Sequence, residues 1–236
     1  MRLQNEVIYS DQNVIIVNKP AGVLSVPDRY NSSLRNVYSW ITGIYDDARP
    51  VHRLDRYTSG ILCFARGQQA FKHFSEAFEK RTVQKYYHAI VLGVPSSNAS
   101  FIDKSLEKLN RQNQVIISKR GKAAQTNYTV LETYGSFALL HLQILTGRTH
   151  QIRVHLQSIG HPLLVDPVYG GKDEFLLSEI KPTYKKRDQE RPLLKRTPLH
   201  ASKIVLPLPD GNSLTIEAPL PKDMRAVIRQ MQLLKG

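Results

Sequence analysis

"PVHRLDRYTSG" (residues 50–60) packs a proline, a histidine, two arginines, an aspartate, a threonine, a serine and a glycine into eleven positions. In extended backbone alternate side chains share a side, so Arg53 and Asp55 point one way while Leu54 anchors the segment in a core. A guanidinium beside a carboxylate favours its ionised form, which suits a nucleophile or an electrostatic catalyst more than an acid. Thr58, Ser59 and Gly60 then supply turn hydroxyls and flexible backbone. On local pattern alone the commoner reading of Asp55 is a turn or capping carboxylate. The surrounding chain decides between the two.

Outward from this segment the pattern is strand-rich. "EVIYS" and "VIIVNKP" precede it, "ILCFA" follows, and "KYYHAIVLG", "AAQTNYTVLETYG", "FALLHLQIL", "HASKIVLPLP" and "SLTIEAPLP" read as further strands. Helical spacing predicts a helix over 33–45, from Leu34, Val37, Ile41 and Ile44. A second covers 68–81, with Phe71, Phe74 and Phe78 on one core-facing stripe. A third runs from Thr149, as N-cap, to Gly160, and a fourth covers 222–234. Strands outnumber helices and neighbours look antiparallel, so the expected class is α+β around a large mixed, mostly antiparallel sheet. No repeat or long linker is visible, and one domain over residues 1–236 is expected.

The chain has 236 residues, 41% of them hydrophobic, and no apolar run long enough to span a bilayer. Its first residues lack the apolar core of a secretory signal. The single cysteine, Cys63, excludes an internal disulfide and sits in a buried-strand pattern. A cytoplasmic protein follows. Lys and Arg number 33 against 20 Asp and Glu, a net charge of +13. Residues 104–122 and 181–196 each carry +5, so these two stretches hold +10 of the +13. Two concentrated basic loops on a nearly neutral body point to a polyanion, with nucleic acid favoured over merely solvated loops. Lys119, Arg120, Lys122, Lys185, Lys186 and Arg187 are the candidate contacts to an RNA backbone.

Motifs in order along the chain now accompany "HRLDRYTSG": "VNKPAGVLSVP" (17–27), "KYYHAIV" (85–91), "TGRTHQIRVHLQSIGHPLLVDPVYG" (146–170) and "LHAS" (199–202). Together they resemble the RluA-type RNA pseudouridine synthases over roughly residues 14–219. Five ordered motifs are far more specific than any one. The resemblance is to the branch without a leading S4-type RNA-binding domain. It implies the pseudouridine synthase catalytic core and an isomerase that flips a uridine out of structured RNA, breaks N1–C1′, and rejoins uracil through C5. No cofactor and no metal are implied.

The same resemblance implies roles for individual residues. Asp55 is the essential aspartate, acting either as nucleophile on C1′ or by promoting uracil expulsion to a glycal. Tyr87, selected over Tyr86 by the K-x-Y-x-A spacing, stacks on the target base and is a candidate proton-transfer group. Arg153 is the basic residue that pairs with the aspartate. On the expected third helix it lies at the edge of a stripe made by Ile152, Leu156 and Ile159, and a partly buried arginine needs a carboxylate. Arg53 fills the space left by the flipped base. His52, Leu54, Ile152 and Arg148 complete the expected substrate-binding set. Structured RNA is the expected partner: 23S rRNA, a tRNA anticodon stem-loop, or both, with a tRNA acceptor stem as the alternative. A monomer is expected.

Other chemistries fit less well. His150 and His155 fall about 140° apart on a helix, so they do not share a metal site. Ser202 lacks the G-x-S-x-G elbow of a hydrolase. A glycosidase wants a second, acidic carboxylate where this chain is rich in arginine and tyrosine. A non-catalytic RNA-binding or ribosome-assembly protein would use the same basic loops but would not need Asp55.

Overall fold

The runs "NVIIV" and "GILCFA" are apolar without alternation because their strands are covered on both faces. A computed structural model describes residues 6–109, 114–181, 184 and 190–233. It places β2 (Val14–Lys19) antiparallel to β4 (Ser59–Arg66), in register from Val14–Ala65 to Lys19–Gly60. Val14, Ile16, Ile61, Cys63 and Ala65 face α2 (Gly67–Glu79), whose Ala70, Phe74 and Ala77 are buried with Phe71 and Phe78 packed alongside. That matches the expected aromatic stripe. Ile15, Val17, Leu62 and Phe64 face the other way, onto Val37 and Ile41 of α1 (Val37–Thr42).

Helix α1 is shorter than the predicted 33–45. The Asn36 side chain, on extended backbone, accepts from Ser39 N at 2.8 Å and fixes the helix start, and Gly43 ends it. Only Val37 and Ile41 of the four spaced apolar residues are fully buried.

The chain folds as two compact units, Met1–Tyr86 with Ala201–Pro219, and Tyr87–His200 with Leu220–Gly236. The first orders its strands β1 (Val7–Ser10), β2, β4, β11 (Leu199–Pro207), with β3 (Ala48–Pro50) on β4 and β12 (Ser213–Glu217) on β11. The second orders β5 (Gln84–Leu92), β10 (Phe137–Ile144), β9 (Gln125–Tyr134), β6 (Ala99–Asp103). Strands β5 and β11 contribute residues to both units. The pairs β1–β2, β2–β4, β3–β4, β6–β9, β9–β10 and β11–β12 all run antiparallel, giving the expected α+β class.

In the second unit α4 (Lys222–Gln232) buries Met224, Val227, Ile228 and Met231, one face of the helix, against Ile90, Leu164, Val165, Phe175 and Leu194. Residues 104–122, expected as a loop, contain an antiparallel strand pair, β7 (Leu106–Leu109) with β8 (Gln114–Ile117). Helix α3 (Gln151–Ser158) starts one residue later than expected. Its N-cap is His150, in the left-handed region at φ 53°, and not Thr149.

Gly60 is where the first unit tolerates no side chain. Its φ is +108°, and a Cβ there would lie 2.2 Å from the carbonyl oxygen of Ala201. The "TSG" and "LHAS" motifs are thus tied by one close backbone approach between β4 and β11. Gly60→Ala should cost about 3 kcal/mol from combined strain and overpacking, and lower the melting temperature by about 6–12 °C. A calorimetric scan unchanged from wild type would refute that close approach.

Candidate active site

The 50–60 segment is held by backbone contacts that leave its side chains in alternation. Arg53 is exposed, Leu54 is buried and Asp55 is half-buried, as the extended reading requires. The Ser25 hydroxyl accepts from Leu54 N and donates to Leu54 O, both at 2.9 Å. Thr58 N donates to Asp55 O, closing a turn with Asp55 as its first residue. Lys19 is fully buried, and its ammonium donates to the carbonyls of Pro20, Val23 and Arg56 at 2.8–3.0 Å. Gly22 N also donates to Arg56 O, at 2.8 Å. The 17–27 motif therefore builds the floor on which the aspartate turn stands. A lysine supplies there the three donors that a sharp turn's carbonyls need.

His52 belongs to the same support. Its Nε2 accepts from Cys63 N at 3.0 Å, and its ring stacks on Phe78 with centroids 4.8 Å apart. Burial of the ring, then the charge of Lys85, push its pKa down to about 3, so the imidazole is neutral and acts as an acceptor. That is a positioning role behind Asp55, added to the substrate contact expected of it.

In the second unit the 146–170 motif forms a buried polar cluster. Residues 151–156 are all buried, so over these six positions α3 has no solvent-facing side and Arg153 lies inside instead of at a stripe's edge. Its Nε donates to Asp166 Oδ2 at 2.7 Å and its Nη2 to Asp166 Oδ1 at 2.8 Å, with the two side chains only 9% and 1% exposed. Asp166 Oδ1 also accepts from Val168 N and Tyr169 N. The guanidinium lies 4.8 Å from the Tyr169 ring centre. The Tyr169 hydroxyl accepts from Val115 N of β8 at 2.9 Å and bonds His150 Nδ1 at 2.8 Å. Sequence reasoning named neither Asp166 nor Tyr169.

Gln151 Oε1 accepts from Thr146 Oγ1 and Arg148 N, and its amide donates to Gln125 O and Thr126 Oγ1. The segment ahead of the helix is thereby tied down without Thr149. Arg148 is half-buried with its Nε on Ala123 O. Ile152 is buried. His155 bonds Thr126 Oγ1 and Lys104 O, and burial lowers its pKa.

On β5, Tyr87 is buried while Tyr86 is half-buried, its hydroxyl on Gln84 Oε1 at 2.7 Å and its ring 5.9 Å from the Lys203 ammonium. The two tyrosines occupy opposite sides of the strand, as alternation demands. The basic stretches divide in a way sequence did not foresee. Lys119, Arg120 and Lys122 follow β8 and are all exposed, but Lys104 caps α3 through Ser158 O at 3.0 Å. Lys195 pairs with Glu174, and Arg196 is buried against Asp223 at 2.6 and 2.7 Å. Lys185, Lys186 and Arg187 lie outside the described residues. Among the described residues no helix is long and apolar enough to cross a membrane.

The family described as RNA pseudouridylate synthase matches residues 13–158, from β2 through the end of α3. The chain belongs to that family. It is 36% identical over 217 residues to the dual-specificity RNA pseudouridine synthase RluA of Escherichia coli O6:H1, covering 90% of this chain and 92% of the relative. It is 33% identical over 244 residues to the ribosomal large subunit pseudouridine synthase D of Zymomonas mobilis, covering 97% and 73%. The fold agrees with that of human RNA pseudouridylate synthase domain containing 4, at a TM-score of 0.79 and 24% identity over 98% of this chain and 94% of that one. Pseudouridine synthases are isomerases: uridine and pseudouridine hold the same atoms, and only the glycosidic attachment moves from N1 to C5.

Proposed function

We propose that Asp55, Tyr87 and Arg153 carry the isomerisation. Asp55 opens the glycosidic bond of an extruded uridine, Tyr87 stacks on the base and serves proton transfer at C5, and Arg153 supplies the fixed positive charge. Arg53, exposed beside Asp55, takes the space left by the flipped base. Leu54, Ile152, His52 and Arg148 shape and support the binding set. The substrate is structured RNA: large-subunit rRNA, in keeping with the name of one relative, a tRNA stem-loop, or both. Lys119, Arg120 and Lys122 meet RNA phosphates, with Lys185, Lys186 and Arg187 as further candidates. The chain works in the cytoplasm as a monomeric catalytic domain.

One observation supports this assignment of Asp55 above the others. Its turn is held through main-chain atoms by Ser25, Lys19 and Gly22, and its side chain is half-buried next to an exposed arginine. A carboxylate on a rigid main-chain support, still open to an incoming ligand, suits chemistry better than capping. The test is release of tritium from C5-labelled uridine in unmodified tRNA and large-subunit rRNA transcripts. Release into solvent is expected, because C5 loses its hydrogen on joining C1′. Wild-type protein that binds these RNAs and releases no tritium from either would favour a non-catalytic binder.

A further inference from the structure

The first unit carries a second charged surface that the totals conceal. Segment 22–25 bonds two other stretches. Gly22 N and the Ser25 hydroxyl donate to Arg56 O and Leu54 O. Leu24 N donates to Arg35 O at 3.1 Å, while Val37 N and Tyr38 N donate to Leu24 O and Ser25 O. The backbones of Arg35 and Arg56 are therefore both tied to this one short segment. Arg29, Arg35, Arg53 and Arg56 are all exposed. The opposing carboxylates in residues 26–35 and 53–57 are Asp28 and Asp55 alone.

Between Arg29 and Arg35 in the chain, Tyr30 is 96% exposed. Its exposure does not come from a slack loop. Asp28 Oδ1 accepts from Tyr30 N and Asn31 N at 2.9 and 3.0 Å, and Asn31 Oδ1 accepts from Ser33 N and Ser33 Oγ. The backbone is stapled through two successive side-chain turns while the phenol ring lies in water. Such a ring loses little conformational entropy when something flat covers it. The exposed cations of these two segments are all arginine, whose planar fork matches phosphate oxygens two at a time.

We propose that Arg29, Tyr30, Arg35 and Arg56 form an RNA-strand site in which Tyr30 stacks an unpaired base and the arginines take the neighbouring phosphates. The partner is the single-stranded stretch flanking the modified uridine, so the inference rests on RNA being the substrate. Stacking on an aromatic is indifferent to base identity, so this surface adds grip without sequence choice. It uses none of the cations at 119–122 and no residue placed in the chemistry.

The test measures binding of fluorescently labelled, unmodified tRNA and large-subunit rRNA transcripts between about 50 and 200 mM salt, beside tritium release from the same RNAs. Tyr30→Ala should weaken binding about ten-fold or more and raise KM in step, with kcat at saturating RNA unchanged. Tyr30→Phe should restore binding, since the ring is what acts. Arg29→Gln with Arg35→Gln should lower the slope of log Kd against log salt by about 1.4. Tyr30→Ala binding within two-fold of wild type, or an unchanged slope in the arginine variant, overturns the site, as does wild-type protein that binds neither RNA. A wild-type protein that binds but does not turn over defeats the catalytic reading alone, because the binding arm still decides the surface.

Discussion

Asp55→Asn is expected to reduce tritium release by about 10³-fold or more while moving the melting temperature by no more than about 4 °C. The two halves of this expectation have separate causes. Five contacts that hold the turn act on main-chain atoms: Thr58 N on Asp55 O, Ser25 on both polar atoms of Leu54, and Lys19 and Gly22 on Arg56 O. Asparagine has the same size and leaves those contacts in place. What it removes is the negative charge, and with it both a nucleophile for C1′ and a counter-charge for the cation that forms there as uracil departs. Residual turnover within ten-fold of wild type would place the carboxylate outside the chemistry. Inactivity accompanied by a fall of 10 °C or more would mark Asp55 as a structural residue and return it to the commoner reading of its local pattern.

Where a residue's partner is near in sequence, or its environment is a repeated pattern, the sequence was enough. The buried runs at 14–17 and 61–65, the phenylalanine stripe of α2 and the opposite facing of Tyr86 and Tyr87 all follow from periodicity. What escaped depends on atoms distant along the chain. The carboxylate expected for Arg153 is Asp55, whereas "LLVDPVYG" gives Asp166, the partner found, the look of an ordinary turn aspartate. It is that too, accepting from Val168 N and Tyr169 N. The signal available was an aspartate ending an apolar run, which places a charge where the run is buried. Thr149 lost the capping role because Gln151 turns its own amide oxygen back to Arg148 N, a local competition that residue preferences do not resolve. The β7–β8 pair was hidden by its setting: β7 is only four residues with a glutamate and a lysine inside a basic stretch, which reads as a solvated loop, although Leu106, Val115 and Tyr169 pack the pair against Val154 of α3. Part of the basic excess likewise went to structure, at Lys104 and Arg196, where net charge says nothing about partners.

The Arg153–Asp166 pair should give the largest stability effects in the chain. Asp166→Ala takes the bidentate carboxylate away from a buried guanidinium and removes the acceptor for two backbone N–H groups. Arg153→Ala strands a carboxylate that is 1% exposed. Each should cost about 3–5 kcal/mol, or about 6–20 °C in melting temperature. Asp166→Asn keeps an oxygen for Val168 N and Tyr169 N and should cost less than the alanine variant. Combining Arg153→Met with Asp166→Leu should cost far less than the two single losses together, because no unpaired charge stays buried once both partners are apolar. That double variant separates support from chemistry. If Arg153 only holds the 146–170 motif in shape, regained stability should bring turnover back with it. If its guanidinium serves the reaction, the protein should melt well above either single variant, bind RNA, and still release no tritium, and recovery of release would take Arg153 out of the catalytic set.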